Sequence, residues 1–544
     1  MLHYLHCYKP ESWEAQVRRG LVREVDGIRF ASCFSVRPEH RFNTLAAKGG
    51  ALYRLLEERR CPFYIDRLQG GVNYWDYEFD RGLLAEYERL LGDNFLGFQL
   101  HEYFSNYNSD LKKLAELSDD RWTVEEIERT VRGKFPMSPL FLEAMSAEEM
   151  ASFGRPYTPR EFYRNTTEIY RRRQAVWGKL VPCDSSSLAF AYEIAHGAKV
   201  IMAEVGAQTH NTKLQLCYAG GMAKAHGISF GVYYEPWGGS PFSACCYERG
   251  QGNEWDLTAE TGFPFETAGP NGGSSRSLQW REHLYAYLSG ASYISEEWGL
   301  CNTFTDWRDF ELSEYGLVKK RFLDFVDRYP DLGEKLAPVA MVLPAELPIL
   351  IERDRPGRYF DRPLDEGQAR SMKRIWDGIH TILPMPDAAA GYEARPFANS
   401  PIPDGVDLLN ECSEAALSPY AYLVDLTCRS DFARTHSNCI APEEVPAVLE
   451  RLFPCRVEGG LHHVVNRRGK DGYYLTVFNH AGILRSVAEG ERRDPEAARR
   501  VTITLSDAMR GRELTVLEGD ARVEYAEGRC YATLPAGGWL FAKF

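Results

Sequence analysis

Several features that would define a class of protein are missing from this chain of 544 residues. Its 13 cysteines are odd in number, run from Cys7 to Cys530 and include no C-x-x-C pair, which argues against a disulfide framework. No cluster of Cys and His has the spacing of zinc ligands. No apolar run approaches the roughly 18 residues that cross a bilayer, and the N-terminus lacks the pattern of a signal peptide. We therefore expect a cytoplasmic protein with no membrane partner.

Two short motifs that would indicate a cofactor or a nucleophilic serine are also absent. No G-x-G-x-x-G follows the first strand-like run, so a dinucleotide cofactor has no support. No G-x-S-x-G is present, which removes the support for a serine hydrolase. The formal net charge of −13 repels phosphate backbones. We expect neither a cofactor nor a nucleic-acid partner.

What the chain does contain is an alternation of short apolar runs with longer helical patterns. Eight runs are typical of strands and lie at 28–36, 62–66, 95–102, 181–187, 199–206, 228–235, 291–299 and 338–344. Such alternation predicts parallel strands joined by right-handed crossovers. Eight units in about 300 residues predict a (β/α)8 TIM barrel over residues 1–344. A doubly wound open sheet is the alternative fold.

The pattern changes after residue 344. Residues 345–455 combine helical patterns with the strand-like "LSPYAYLVDLT", which indicates a small α/β domain. From 456 to 544, short runs of alternating polarity are separated by Gly and Asp turns, which predicts an antiparallel β-sandwich. The predicted class is thus α/β, with a barrel, a small middle domain and a C-terminal sandwich.

Acidic residues recur at the ends of the predicted strands, where the loops of a barrel carry its chemistry. Six successive ends bring an acid: Asp66, Glu102, Asp184, Glu204, Glu235 and the pair Glu296 and Glu297. Because neighbours on a strand face opposite sides, only one member of the pair can face the mouth of the barrel. The adjacent Trp298 favours Glu297. Together these acids predict an acidic mouth.

Glycoside cleavage is the chemistry that uses several carboxylates beside aromatic rings. One acid protonates the leaving oxygen, and a second carboxylate attacks the anomeric carbon or activates water. Crowding raises the pKa of one acid, which keeps it protonated. We predict Glu204 as the general acid/base and Glu297 or Glu296 as its partner. Glu102 and Glu235 either bind sugar hydroxyls or replace one of that pair.

Further contacts with the carbohydrate substrate are expected from aromatic and polar residues near the same strand ends. These are Trp237 and Trp298 as stacking walls, together with His101, Tyr103, Asp66 and Asp184. Two of them have a second interpretation. Asp66 alternatively pairs with Arg67 or with an Arg on a helix. Asp184 alternatively caps the following helix, since Asp is a strong N-cap.

Two other functions fit the same residues. One is a carbohydrate-binding barrel without catalysis. The other is an enzyme that depends on a divalent metal, with Glu102, Glu204 and Glu235 around Mg²⁺ or Mn²⁺ and His101 or His210 as the base.

Four stretches resemble those of bacterial (β/α)8-barrel glycoside hydrolases: "FLGFQLHEYFSNY", "KVIMAEVGAQTHNT", "GGMAKAHGISFGVYYEPWGG" and "LYAYLSGASYISEEWG". The domain order is similar to that of family 42 beta-galactosidases. The resemblance to these galactosidases implies a flavodoxin-like middle domain and a homo-oligomer formed through the barrel and that domain.

The resemblance also implies where the catalytic residues stand. In the retaining clan of those galactosidases, an Asn-Glu pair ends strand four and carries the acid/base, and a Glu ends strand seven and is the nucleophile. Counted along the predicted strands, "PCDSSS" on strand four has no Asn-Glu, whereas "SEEWG" on strand seven matches the nucleophile. Either the acid has moved to Glu204, or the chain belongs to another family.

Overall fold

The computed structural model describes most of the chain. The described residues are 1–30, 41–69, 79–103, 159–207, 209–236, 274–297, 299–305, 308–351, 354–359, 362–386, 395–470, 472–486 and 489–544.

Eight parallel strands form a closed barrel, which confirms the predicted fold. They are β1 His3–Cys7, β2 Gly27–Phe30, β3 Phe63–Gln69, β4 Phe95–His101, β5 Leu180–Ser185, β6 Val200–Gly206, β7 Ser229–Glu235 and β8 Tyr293–Glu296. The ring closes where β1 pairs with β8, with His3 opposite Tyr293. Because all eight strands run the same way, their carboxyl ends meet at one face of the barrel.

Helices connect successive strands and surround the barrel. They are Pro10–Arg18, Phe42–Leu45, Ala51–Arg59, Arg81–Leu91, Pro159–Trp177, Phe190–Ala195, Thr212–His226, Arg276–Leu288, Gly299–Thr303 and Glu314–Arg328. Side chains cap several N-termini: Asp80 accepts a hydrogen bond from the backbone N–H of Leu83, and Asn211 accepts one from Leu214. Among the helices that the structure describes, none is both long and apolar enough to cross a membrane.

The predicted strand order was wrong by one position. Strand β1 lies in "HYLHC", ahead of the first predicted run, and the predicted eighth strand at 338–344 is not part of the barrel. The run ending at Glu102 is therefore β4, the run ending at Glu204 is β6, and the run ending at Glu235 is β7. An apolar run fits a buried parallel strand of any sheet, so "PVAMVLP" gave no sign of which sheet it joins.

A second parallel sheet of four strands takes up that run. Val339–Leu343 pairs with Val406–Asn410 on one side and with Tyr422–Asp425 on the other, and Cys439–Ile440 forms an edge. The helices of this region are Glu366–Ile382, Glu414–Leu417, Phe432–Thr435 and Val445–Leu452. Sheet membership favours a limit before Val339, rather than after residue 344, between the first two proposed domains.

Short two-stranded pairings lie beside these larger sheets. Ser187–Leu188 pairs with Ile349–Leu350, and Arg358–Tyr359 pairs with Arg362–Pro363.

The C-terminal region is built from antiparallel sheets. One sheet has the order Glu334–Lys335, His462–Arg468, Gly472–Phe478, Trp539–Lys543 and Thr515–Gly519. The other has the order Cys455–Glu458, Arg499–Leu505, Arg529–Leu534 and Arg522–Ala526, and Ile483–Ser486 pairs separately with Glu489–Arg493. Buried residues of both large sheets, such as Val464 and Ile503, belong to one hydrophobic core.

A buried chain of polar side chains joins the three regions. Arg281 Nη1 of a barrel helix lies 2.6 Å from His480 Nδ1, and His480 Nε2 lies 2.8 Å from His462 Nδ1. His462 Nε2 lies 3.4 Å from Oδ2 of Asp404, which also accepts a hydrogen bond from Tyr285 at 2.5 Å. Arg281 can only donate, so His480 Nδ1 accepts. His480 Nε2 then donates to His462 Nδ1, and His462 Nε2 donates to Asp404. Each histidine therefore carries one proton and is neutral.

The pKa values agree with this arrangement. Burial lowers the pKa of His462 to about 4, although the hydrogen bond to Asp404 raises it. Burial and the charge of Arg281 lower the pKa of His480 well below its ordinary value. Both imidazoles are therefore neutral at physiological pH.

Alternate residues of the strands fill the barrel lumen. Leu5, Tyr64, Cys183, Met202 and Tyr233 form a cluster that is separate from the main core between strands and helices. Because side chains alternate along a strand, the residues two positions further on face the same lumen, nearer the carboxyl ends. That rule selects the residues of the candidate site.

Candidate active site

Three carboxylates converge at the carboxyl ends of β6, β7 and β8. Glu204 follows the lumen residue Met202, and Glu235 follows the lumen residue Tyr233. Glu297 directly follows β8, and its N–H donates to the carbonyl of Tyr234 on β7 at 2.9 Å. One oxygen from each of the three acids lies within 4.8 Å of the other two. These three acids come from the strand ends that were predicted to form an acidic mouth.

Glu204 is the most buried acid of the group, with 0 % exposure. Burial raises its pKa well above the usual range, and the charges of Glu235, Glu102 and Glu297 raise it further. The raised pKa favours the protonated form of this carboxyl group. Glu235, in contrast, lies nearer the surface and is partly exposed.

Glu102 lies just past the end of β4 and is held in place by Ser185. The hydroxyl of Ser185 donates to Glu102 Oε1 at 2.6 Å. The backbone N–H of Glu102 donates to the carbonyl of Cys183 at 2.7 Å, and the φ angle of Glu102 is 47°, in the left-handed region. Non-glycine residues adopt that conformation at a cost that functional sites often carry. The side chain is 28 % exposed, so a ligand at the mouth can reach it.

His101 links Glu102 to the other acids. Its Nε2 lies 3.5 Å from Glu204 Oε1 and 3.9 Å from Glu102 Oε2. The ring packs edge-on against Tyr233, with 5.8 Å between centroids. His101 is buried, with Nε2 directed at the carboxylates of Glu102 and Glu204.

Gly206 gives Glu235 the space it needs. The two residues are partners in the pairing of β6 with β7. A Cβ atom on Gly206 would lie 2.3 Å from the carbonyl oxygen of Glu235 and 2.9 Å from its Cβ. Any side chain at this position would push the end of β7 outward.

Glu296, predicted as an alternative catalytic acid, lies on the outer side of the barrel wall. Its carboxylate contacts Lys319 Nζ at 3.2 Å and His283 Nε2 at 3.2 Å. Burial alone would raise its pKa, but Lys319, His283 and a hydrogen bond with Tyr4 lower it well below the usual range. Glu296 is thus a buried, paired carboxylate that does not face the mouth.

Asp184 and Tyr103, predicted to bind substrate, also lie away from the lumen. Tyr103 is fully buried and packs against Tyr170 and Tyr192, both at 5.8 Å between ring centroids. Asp184 is buried beside Glu193: burial and the charge of Asp184 raise the pKa of Glu193 well above its usual range. The N-cap interpretation of Asp184 is wrong, because that residue belongs to β5 and the next helix begins after Ala189.

Asp66 lies in the lumen, with its carboxylate against an arginine of a neighbouring strand. Arg29 Nη1 on β2 lies 3.1 Å from Asp66 Oδ2. Tyr233 donates its hydroxyl to the same oxygen at 3.3 Å. The structure thus gives Asp66 an arginine partner on a strand, which neither sequence interpretation anticipated. Of the other predicted residues, Trp237 and Trp298 lie outside the described residues.

No family model matches the chain, and no curated protein matches it in sequence. Among solved structures it is similar to the catalytic module of a family 98 glycoside hydrolase from Streptococcus pneumoniae TIGR4, with 10% identity and a TM-score of 0.44. That match covers 100% of this chain and 97% of the other.

Two further structures are similar at comparable levels. The beta-galactosidase from the haloarchaeon Halorubrum lacusprofundi has 11% identity, a TM-score of 0.42, and coverage of 100% of this chain and 99% of the other. The exo-carrageenase GH42 from Bacteroides ovatus has 9% identity, a TM-score of 0.42, and coverage of 100% and 82%.

Sequence reasoning missed Ser185 and Gly206 as parts of the site. Ser185 stands two residues after Cys183, so the alternation of β5 would have placed it on the lumen face. The role of Gly206 depends on its register with Glu235 across two strands, and no local pattern encodes that register.

Proposed function

We propose that the chain is a glycoside hydrolase that cleaves an oligosaccharide or glycoside by paired-carboxylate catalysis. The observation that carries this proposal is the convergence of Glu204, Glu235 and Glu297 at the barrel mouth, with Glu102 at the end of β4 joined to them through His101. Acid catalysis at a glycosidic oxygen needs one protonated and one ionised carboxyl group at a single site.

Glu102 is the general acid and Glu235 is the carboxylate that attacks the anomeric carbon or activates water. Both are partly exposed, whereas Glu204 has 0 % exposure and lies behind them. With the strand order corrected, Glu102 follows β4 and Glu235 ends β7. These are the two positions that the clan of family 42 beta-galactosidases uses, and His101 stands where that clan has its Asn.

Glu204 has a supporting role in this assignment. As a protonated carboxyl it donates toward Glu235 and keeps that group ionised, since two adjacent carboxylates do not both ionise readily. Glu297 completes the wall on the β8 side. The roles of Glu204 and Glu297 predicted from sequence thus pass to Glu102 and Glu235.

The test is a pair of substitutions assayed on aryl glycosides with good and poor leaving groups. Glu235→Gln should lose activity on all of them by about 1,000-fold or more, because the attacking carboxylate is gone. Glu102→Gln should lose activity on poor leaving groups by about 100-fold or more and keep much of it on good ones, which need no protonation. Glu14→Gln, on an exposed helix position, is the control. Full activity in both site variants would overturn the proposal.

A second candidate is an enzyme that depends on Mg²⁺ or Mn²⁺. Glu204, Glu235 and Glu297 present three carboxylate oxygens within 4.8 Å, and hard divalent cations prefer oxygen ligands. Loss of turnover after treatment with EDTA, with rescue by Mg²⁺ or Mn²⁺, would favour this function over the metal-independent one. Sugar binding without turnover would favour a carbohydrate-binding barrel instead.

A further inference from the structure

We propose that His101, Cys183 and Glu204 form a binding site for a thiophilic divalent cation, Zn²⁺ above all, within the lumen beneath the acidic mouth. One ligand atom from each of the three residues lies within 4.8 Å of the other two. The site differs from the all-carboxylate group at the mouth because it offers sulfur and nitrogen.

Three adjacent strands bring these side chains together. His101 ends β4 and is the register partner of Cys183 on β5. Glu204 on β6 pairs with Ser185, one lumen position further along β5 than Cys183. The exposed fraction is 3 % for His101 and 0 % for both Cys183 and Glu204. The three donors are therefore fixed on rigid strands and shielded from solvent, as the ligands of a specific metal site are.

The donor set selects the cation. Thiolate and imidazole favour Zn²⁺ and related transition metals over Mg²⁺ and Ca²⁺. Two ligands of one tetrahedral Zn²⁺ lie about 3.3–3.6 Å apart, given bonds of about 2.0–2.3 Å. His101 Nε2 and Glu204 Oε1 already lie 3.5 Å apart. Glu102 Oε2, at 3.9 Å from the same nitrogen, is within reach as a fourth ligand.

The carboxyl group of Glu204 supplies an independent indication of a ligand. Both of its oxygens are buried, and neither accepts a hydrogen bond from any residue that the structure describes. A buried carboxyl oxygen that accepts no hydrogen bond costs free energy even where the group donates toward Glu235, so such atoms are rare and often mark an ion or a water site. A cation between His101, Cys183 and Glu204 would satisfy these oxygens.

Binding of Zn²⁺ would replace the proton of the Cys183 thiol and that of the Glu204 carboxyl group. Where the proposed function holds, Glu204 could then no longer donate toward Glu235, and a Glu102 drawn in as fourth ligand could not protonate a leaving group. The site would thus make the enzyme reversibly sensitive to Zn²⁺.

Cobalt replaces zinc as the probe, because a thiolate ligand gives Co²⁺ a charge-transfer absorption band. Full-length protein freed of metal with EDTA should develop that band on titration with Co²⁺ and lose it when Zn²⁺ is added. Cys183→Ser should abolish the band and weaken Co²⁺ binding by about 100-fold or more. Cys455→Ser, at a buried thiol in the C-terminal region, should leave both unchanged.

Glu204→Gln provides a second variant, since it keeps the sulfur ligand. It should retain the band and weaken binding, which would separate loss of a ligand from loss of the fold. Absence of the band in the wild-type protein, or its persistence in Cys183→Ser, would overturn the proposed site. These spectra do not depend on hydrolysis, so failure of the proposed function would leave them interpretable. A glycosidase activity that Zn²⁺ lowers about tenfold or more in the wild type, but not in Cys183→Ser, would confirm the coupling.

Discussion

Glu296 and Glu297 are neighbours in the chain, yet their carboxylates lie on opposite sides of the barrel wall. Glu296 Oε2 contacts Lys319 Nζ at 3.2 Å among the helices, whereas Glu297 lies within 4.8 Å of Glu204 and Glu235 at the mouth. The alternation of side chains along a strand separates them. Substitution of each should therefore change a different property of the protein.

Glu296→Gln should reduce stability and largely spare the chemistry. It leaves the ammonium group of Lys319 buried without a counter-charge, which costs about 3–5 kcal/mol. We expect a lower midpoint of thermal unfolding and a kcat close to that of the wild type at low temperature. The double variant Glu296→Gln with Lys319→Met should lose less than the sum of the single changes. A normal midpoint in Glu296→Gln would contradict the pairing.

Glu204→Gln should keep kcat/KM within about tenfold of the wild type, because glutamine resembles the protonated carboxyl group. If Glu204 were itself the general acid, as the sequence first indicated, the loss would be about 100-fold or more. Measurement of kcat/KM on a glycoside with a poor leaving group decides between the two.

The same variant should be more stable than the wild type at alkaline pH. The pKa of Glu204 is raised in the folded state, so the folded protein binds a proton that the unfolded chain releases above its ordinary pKa of 4.5. Stability therefore falls as pH rises from that value through the folded pKa. Glutamine removes this penalty, and the midpoints of the two proteins should diverge as pH increases. Parallel curves from pH 5 to 9 would count against the raised pKa.

Gly206→Ala should lower kcat/KM by about 100-fold, since displacing a reacting group by about 1 Å can cost that much. The added Cβ would meet the Glu235 carbonyl oxygen at 2.3 Å. Gly220→Ala is the matched control, because there the nearest atoms lie at 3.8 Å. Equal activity in the two variants would show that Gly206 does not position Glu235.

Acid should weaken the junction of the three regions before it affects the carboxylates. The pKa of His462 falls from an ordinary value of 6.5 to about 4 on folding, so the unfolded chain binds the proton first as pH decreases. Stability from the neutral His462 and His480 is present above pH 6.5 and is lost from there down to about pH 4. Thermal midpoints of the wild type should decrease over this range.

His462→Gln should flatten that decrease, because glutamine does not titrate. Variant and wild type should therefore converge in stability toward acidic pH. The contribution of Glu296, whose pKa is lowered, is lost only below its ordinary value of 4.5, so the comparison is made between pH 6.5 and 4.5. An unchanged slope in His462→Gln would exclude His462 as the source.

The alternation of strands and helices was enough to predict the barrel, but not its strand order. "HYLHC" carries two histidines in five residues and does not read as a buried strand, although its lumen and helix faces are both covered. The purely apolar "PVAMVLP" reads as a barrel strand but pairs with Val406–Asn410. One such exchange moved every acid by one strand and changed which acids match the implied catalytic positions.

The candidate site was predictable in type and not in detail. Acids at strand ends pointed to the mouth. The sequence also showed that Glu296 and Glu297, as neighbours on a strand, must face opposite sides of the barrel wall. Their phase was not visible in the sequence, because it depends on contacts with Lys319 and His283 of the flanking helices, and no local sequence pattern encodes those contacts. The partnership of Asp66 with Arg29 was hidden for the same reason.

The closure of the barrel between His3 and Tyr293 has a consequence for synthesis of the chain. The two strands are separated by about 290 residues, so at about 5–20 residues per second β1 waits roughly 15–60 s for its second partner. Throughout that time both edges of the growing sheet stay unpaired, and open edges promote association between chains. Strand β8, the last barrel strand to be translated, is directly followed by Glu297. The nascent chain therefore has both an open sheet edge and an incomplete acidic cluster until β8 is made.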